Sequence, residues 1–141
     1  MATTTITAMR AALVTLLQAR GGLSGVQIGY GMPPGALQRE HILMGLVEAT
    51  QEYRALGTAR KFEDYTVTVH ISVMREGTDQ QATDERALVL LAEVEAALRA
   101  DPTVSGTVLT AEVGRYRLEP LASESTREAR VTLEITTRAR I

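Results

Sequence analysis

At 141 residues, 45% of them hydrophobic and with a formal net charge of −2, the chain has material for one domain with a buried core and no bulk attraction to phosphate or anionic lipid. It has no cysteine, which excludes a disulfide framework and a thiolate zinc site. Met1 to Arg10 shows no basic segment leading into an apolar run, and no apolar stretch nears the roughly 18 residues of a membrane span. The expectation is a soluble protein without a signal peptide, made in a reducing compartment.

The first predicted element is a helix over about residues 5–20. Ile6, Met9, Leu13, Leu16 and Leu17 recur at helical spacing, Thr5 or a neighbouring threonine suits the N-cap, and Gly21-Gly22 suits a C′ stop. A short strand follows over about 26–30, with Val26, Ile28 and Tyr30 on one face. Met32-Pro33-Pro34-Gly35 cannot continue a ladder and reads as loop. From His41 to Leu56 the pattern is divided. Ile42, Leu43, Leu46 and Val47 suit a helix, Ile42, Met44 and Leu46 suit a strand, and Gly45 counts against both. We read strand over about 41–54, as a strand pair with an irregular, partly exposed hairpin ending near Gly57.

The strand at about 63–75 is clear: Tyr65, Val67, Val69, Ile71 and Val73 share one face, and Thr66, Thr68, His70 and Ser72 share the other. Gly77-Thr78-Asp79 turns the chain into a second helix, about 80–100, with Ala87, Leu91, Val94 and Leu98 as its core stripe, flanked by Leu88 and Leu90. Asp84 and Glu85 suit its first turn, Arg99 its last, and Asp101-Pro102 ends it. Strands over about 107–118 and 128–140 close the chain. In the last, Ala129, Val131, Leu133 and Ile135 alternate with Arg130, Thr132, Glu134 and Thr136. The order α-β-β-β-α-β-β, with every clear strand alternating, predicts a single α+β domain over 1–141. Two helices pack on one face of a mostly antiparallel or mixed sheet.

The search for chemistry mostly fails. Gly29-Tyr30-Gly31 follows a strand, but Pro33 and Pro34 stand where a phosphate-binding helix should open. Ser24 and Ser105 lie beside glycines without a nucleophile-elbow pattern. His41 and His70 are the only imidazoles, and each reads as a surface or interface residue rather than a base. An enzyme would need one of them in a deep pocket beside a carboxylate. Glu112, Glu119 and Glu134 show no pairing for acid–base work. No catalytic residue, cofactor site or metal site is expected. Basic pairs at Arg60-Lys61, Arg115/Arg117 and Arg138/Arg140 are dispersed, and a single Phe with no Trp leaves few platforms for nucleic-acid bases. Arg115, Arg117 and Leu118 form a stripe beside Tyr116 that suits either a solvated face or a protein interface. A sheet covered on one face leaves its other face and its edges for assembly.

The second half of the chain has a recognisable character. Arg75-Glu76-Gly77-Thr78-Asp79-Gln80-Gln81-Ala82 runs into Glu85-Arg86-Ala87, then Val94-Glu95-Ala96-Ala97-Leu98-Arg99-Ala100-Asp101-Pro102-Thr103, with Glu128-Ala129-Arg130-Val131 before a closing Thr/Arg-rich strand. In these segments and in element order the chain resembles tail terminator proteins of long-tailed, non-contractile bacteriophages. The resemblance implies a structural virion protein, assembled in the host cytoplasm. It implies a ring, typically a hexamer, that caps the head-proximal end of the tail tube. Its partners would then be copies of itself, the tail tube protein and a head-closure or neck protein, with DNA passing through the lumen without base readout and no membrane involved. A different neck component (head closure or adaptor), a small cellular binding module and a small enzyme remain as alternatives. Candidate interface residues are Arg54, Arg60, Lys61 and Phe62 on the expected hairpin, and Arg115, Tyr116 and Arg117 on the penultimate strand.

Overall fold

The computed structural model describes residues 3–53 and 61–141, which run α1 (Ile6–Gln18), a 3₁₀ turn (Gly21–Leu23), β1 (Gln27–Gly29), β2 (Glu40–Tyr53), β3 (Lys61–Glu76), α2 (Gln80–Ala100), β4 (Thr110–Ala122) and β5 (Thr126–Arg140). The strands form one mixed sheet in the order β1-β2-β3-β5-β4, with β1 parallel to β2 and the other pairs antiparallel. This is the expected α+β fold in the expected element order. Alternation decides which face is dry. Val67, Val69, Ile71 and Val73 of β3 stand in register with Ile135, Leu133, Val131 and Ala129 of β5, and all are buried. Met9, Leu13 and Leu17 of α1 and Ala87, Leu90, Leu91, Val94 and Leu98 of α2 close over them in one core.

Several local expectations give way to tertiary partners. Thr5 occupies the N-cap of α1, but its side chain makes no cap bond. Its N–H and hydroxyl donate instead to the Glu63 carboxylate, at 2.9 and 3.0 Å. Gly21-Gly22 are not the helix stop: Ala19 caps α1 in right-handed geometry, and the glycines open the 3₁₀ turn. Residues 41–53 contain no strand pair of their own. β2 is a single strand whose return partner is β3, paired from Glu40↔Val73 to Tyr53↔Lys61. The expected hairpin end near Gly57, with Arg54 and Arg60, lies outside the described residues. The divided pattern has a physical origin in a bulge between Met44 and Val47. A Cβ at Gly45 would sit 2.6 Å from His70 Nε2 and 3.2 Å from the Thr68 carbonyl oxygen, so any other residue there obliges the imidazole to move aside. The extra residue shifts the alternation and turns Leu46 out to 65% exposure.

In α2 the N-cap is Asp79, whose carboxylate accepts from the Ala82 N–H at 3.0 Å. That start places Asp84 and Glu85 beyond the first turn, contrary to expectation, and Leu88 is exposed rather than flanking the core. Arg99 does lie in the last turn, paired with Glu95. After the helix, Val104 holds φ +46, a left-handed conformation that costs a β-branched residue about 1–3 kcal/mol. Its fully buried side chain and the Ser105 N–H bond to Asp101 (2.8 Å) hold the turn. β4 starts at Thr110, later than the expected 107, and runs on to Ala122. Pro120 is tolerated because β4 is an edge strand.

Two carboxylates tie the layers together. Glu40 of β2 accepts two bonds from Arg86 of α2, at 2.8 and 3.0 Å, and the Arg86 hydrogen bond outweighs desolvation to hold its pKa below the ordinary 4.5. Glu63, fully buried, accepts from the Thr4 hydroxyl, from Thr5 and from Gln51 Nε2. Burial pushes its carboxyl up, but the hydrogen bonds from Thr4, Thr5 and Gln51 together prevail and lower it.

Two stability predictions follow from this packing. Leu91→Ala should cost about 2–5 kcal/mol and Val69→Ala less, read as a shift of the chemical-denaturation midpoint at unchanged slope. An unchanged midpoint for Leu91→Ala would contradict the placement of α2. Because folding lowers the carboxyls of Glu40 and Glu63, the folded form binds fewer protons than the unfolded chain near pH 4.5. Their contribution is complete above that pH and is lost as pH falls through the lower folded values. Glu63→Gln should therefore be less stable at neutral pH, by on the order of 1–3 kcal/mol, and lose less on acidification. Equal acid sensitivity in variant and wild type, by denaturation at a series of pH values, would refute the role of Glu63.

Candidate functional site

The face of the sheet away from the helices carries the polar half of each strand's alternation. Its centre is self-neutralised. Arg138 of β5 donates to Asp64 of β3 at 2.7 Å, Arg115 of β4 to Glu134 of β5 at 3.0 Å, and Arg130 to Glu128 at 2.8 Å. The hydrogen bonds to Asp64 and Glu128 raise the pKa of Arg138 and Arg130, so both stay charged throughout the accessible range. Pairs this exposed stabilise only weakly.

At one end of this face lies a pocket of about 550 Å³ that takes in both histidines. The loop after β1 contributes Met32 and Leu37, β2 contributes His41 and Leu43, β3 contributes His70, Ser72 and Met74, and β5 contributes Glu128 and Arg130. His41 Nδ1 donates to the Gln38 carbonyl at 2.8 Å. The Ser72 hydroxyl donates to Glu128 at 2.9 Å, and Arg130 occupies the same carboxylate oxygen. The carboxylate beside the histidines is thus already charge-balanced, and the serine faces an acid rather than a base. Sequence reasoning treated the two histidines separately, because only the β2–β3 register, His41↔Ser72 and Leu43↔His70, brings them to one place.

The predicted interface residues fall into two separate groups. Lys61 and Phe62 open β3, where the Lys61 ammonium lies 5.0 Å from the centre of the Tyr53 ring and the Arg140 guanidinium 5.7 Å from that of Phe62. Arg54 and Arg60 belong to the undescribed connection beside them. Arg115, Tyr116 and Arg117 lie on β4, across β5 from that group. Their expected stripe is divided by the sheet. Arg115 and Arg117 share the open face with Glu134 and Thr132, whereas Tyr116 and Leu118 share the helix face with Leu133 and Val131. Tyr116 is 56% exposed beside Glu95 and Arg99, at the end of α2.

Both sheet edges remain open over long stretches. β1 covers β2 only at His41, Ile42 and Leu43. Arg10 of α1 donates to the Gly45 carbonyl at 3.0 Å, and from Glu48 to Tyr53 every residue of β2 is exposed. Among the described residues β4 has β5 on one side and no strand on the other. This second edge of β2 was not foreseen, since it depends on β1 being short. Among the described residues no cluster of three or more His, Cys, Asp or Glu side chains is placed to hold a metal ion, and no helix is long and apolar enough to cross a membrane.

No protein-family model and no curated protein matches the chain. Among solved structures, a chain of the "Virion of native gene transfer agent (GTA) particle" is similar, with TM-score 0.61 and 13% sequence identity, over 98% of this chain and 100% of that one. At this identity the likeness is one of fold, and it runs end to end in both chains.

Proposed function

We propose that the chain is a structural virion protein, a tail terminator whose copies close into a hexameric ring on the head-proximal end of the tail tube. The observation that carries the reading is the end-to-end correspondence of fold with a chain of a virion particle. The sequence resemblance in the turn, helix and closing strand points to the same class. The mechanism is geometric. A head-to-tail contact between copies gives a ring where its rotation closes and a filament where it does not. A closed ring meets the last tube subunit with one compatible face and offers no copy of the tube's growing surface, so addition stops. Its opposite face then receives the head-closure or neck protein, and DNA passes through the lumen. The end of the sheet bearing Tyr53, Lys61, Phe62 and Arg140 is the surface we assign to the tube or the adjacent subunit, and Arg54 and Arg60, outside the described residues, stay candidates by sequence alone.

Purified protein added to polymerising tail-tube subunits should cap tubes at substoichiometric amounts, because one ring serves each tube end. Binding along the tube wall would instead need one copy per tube subunit. Rings that form only on the tube are compatible with this mechanism, since the template completes a marginal interface. Tubes that continue to grow in excess protein, with no ring at either end by electron microscopy, would refute the proposal. Binding to the neck protein but never to the tube would favour another neck component.

A further inference from the structure

We infer that copies of this chain join by the open edge of β4 in one copy pairing with the open edge of β2 in the next. The contact deepens the ring reading and rests on it. Its basis is the sign of charge at the two edges. On the open face, the exposed part of β2 carries Glu48 and Glu52, in register with Thr66 and Phe62. On the same face, β4 carries Arg115 and Arg117, in register with Glu134 and Thr132. Glu48 and Arg117 make no ion pair among the described contacts, whereas Arg115 already leans on Glu134 at 3.0 Å while 84% exposed. Glu112 and Glu119 also lie on this face of β4, on either side of the two arginines, with Glu112 beyond the Gly114 bulge, so the positive charge is local to Arg115 and Arg117.

The charges select the pairing. Two β2 edges would set Glu48 and Glu52 against themselves, with no base on that face of the exposed segment to offset them. β2 against β4 sets these acids against Arg115 and Arg117, and like charges across a strand pair are destabilising. A contact between two different edges is heterologous, which is the kind a ring requires. The helix face agrees. Val47, packed against the core, and the exposed Ala49 lie on the helix face of β2, and Tyr116 and Leu118 lie on the helix face of β4. Joining the edges lays the exposed Tyr116 ring over the small Ala49. Bulges and edge prolines commonly block such pairing. Here the bulges at Gly45 and Gly114 and the proline at 120 flank the segments Val47–Tyr53 and Arg115–Glu119 rather than interrupting them.

Charge reversal tests the contact. Glu48→Arg with Glu52→Arg, and separately Arg115→Glu with Arg117→Glu, should each weaken self-association by about tenfold or more, read by sedimentation velocity and by counting rings at tube ends. Combining both reversals in one chain should restore it. Where a double variant melts early, the single reversals Glu48→Arg and Arg117→Glu provide the same test without removing an ion pair. Reversed variants that keep the wild-type melting temperature and still form rings as wild type does would overturn the edge contact and leave the terminator reading standing. Wild-type protein that is monomeric at every concentration and forms no ring on tubes would overturn both.

Discussion

The structure depends on a sheet that is longer than the helices covering it. The 16 residues of β3 span about 53 Å at ~3.3 Å per residue. The 21 residues of α2 span about 32 Å, and the 13 of α1 about 20 Å, at ~1.5 Å per residue. Where helices lie over the sheet, alternation gives one dry face and a continuous core from Met9 to Ala139. On β2 past the bulge, at the rim of the sheet, alternation no longer buries the helix-side residues. Ala49 and Gln51 keep the helix-side phase of β2, in register with Tyr65 and Glu63, yet both are exposed. Since Tyr65 and Glu63 are themselves buried, the exposure of this stretch belongs to its place at the rim of the sheet, and composition then determines what that edge can meet.

The boundary between covered and uncovered sheet needs a chemical stop, and Glu63 provides it. Its position in the alternation faces the helices, where an apolar residue would extend the core. A buried carboxylate there is tolerable only because the chain entering α1 supplies donors at Thr4 and Thr5 and β2 supplies the Gln51 amide. The negative charge also sits at the N-terminal end of α1, where the helix dipole favours it. A single polar cluster thus ends the core, anchors the start of α1 and fixes how α1 meets β3. The Tyr65 hydroxyl joins through Thr5 at 2.9 Å, and burial raises its pKa to about 12.

How much of this was legible follows from how local each cause is. The faces of β3 and β5 could be read directly, because both strands are central, regular and wet on one side. β2 could not, because a bulge changes phase at Gly45, and because Leu43 is buried on the open face beneath the loop carrying Met32 and Leu37. Thr5 was correctly placed at a helix start, but its hydrogen bonds go to a residue 58 positions away, which no local pattern encodes. At the candidate site, Arg115, Tyr116 and Arg117 were visible as a cluster. Their division between two faces required the strand register, and the acids they would oppose required the strand order. Lys61 and Phe62 were expected at a hairpin and do begin β3, with their described surroundings supplied by Tyr53 and Arg140.

Open edges ordinarily threaten uncontrolled strand addition. A protein that must meet copies of itself cannot remove that threat by covering every edge. The alternative is to make each edge repulsive to itself and attractive to only one other. Internal pairs, Asp64 with Arg138 and Glu134 with Arg115, neutralise the middle of the open face, and Glu48 and Arg117 lie outside them. Because those charges lie on exposed strands, screening weakens them within about 10 Å at ~0.1 M salt. In the proposed contact they would set which edges approach, while backbone pairing and burial of the exposed Tyr116 ring would supply the attraction once the strands meet. Sheet twist, which offsets adjacent strands by about 20–25°, would then enter the rotation from copy to copy. Whether such a rotation closes is a property of the backbone, so on this proposal the charges choose the contact and the fold decides between ring and filament.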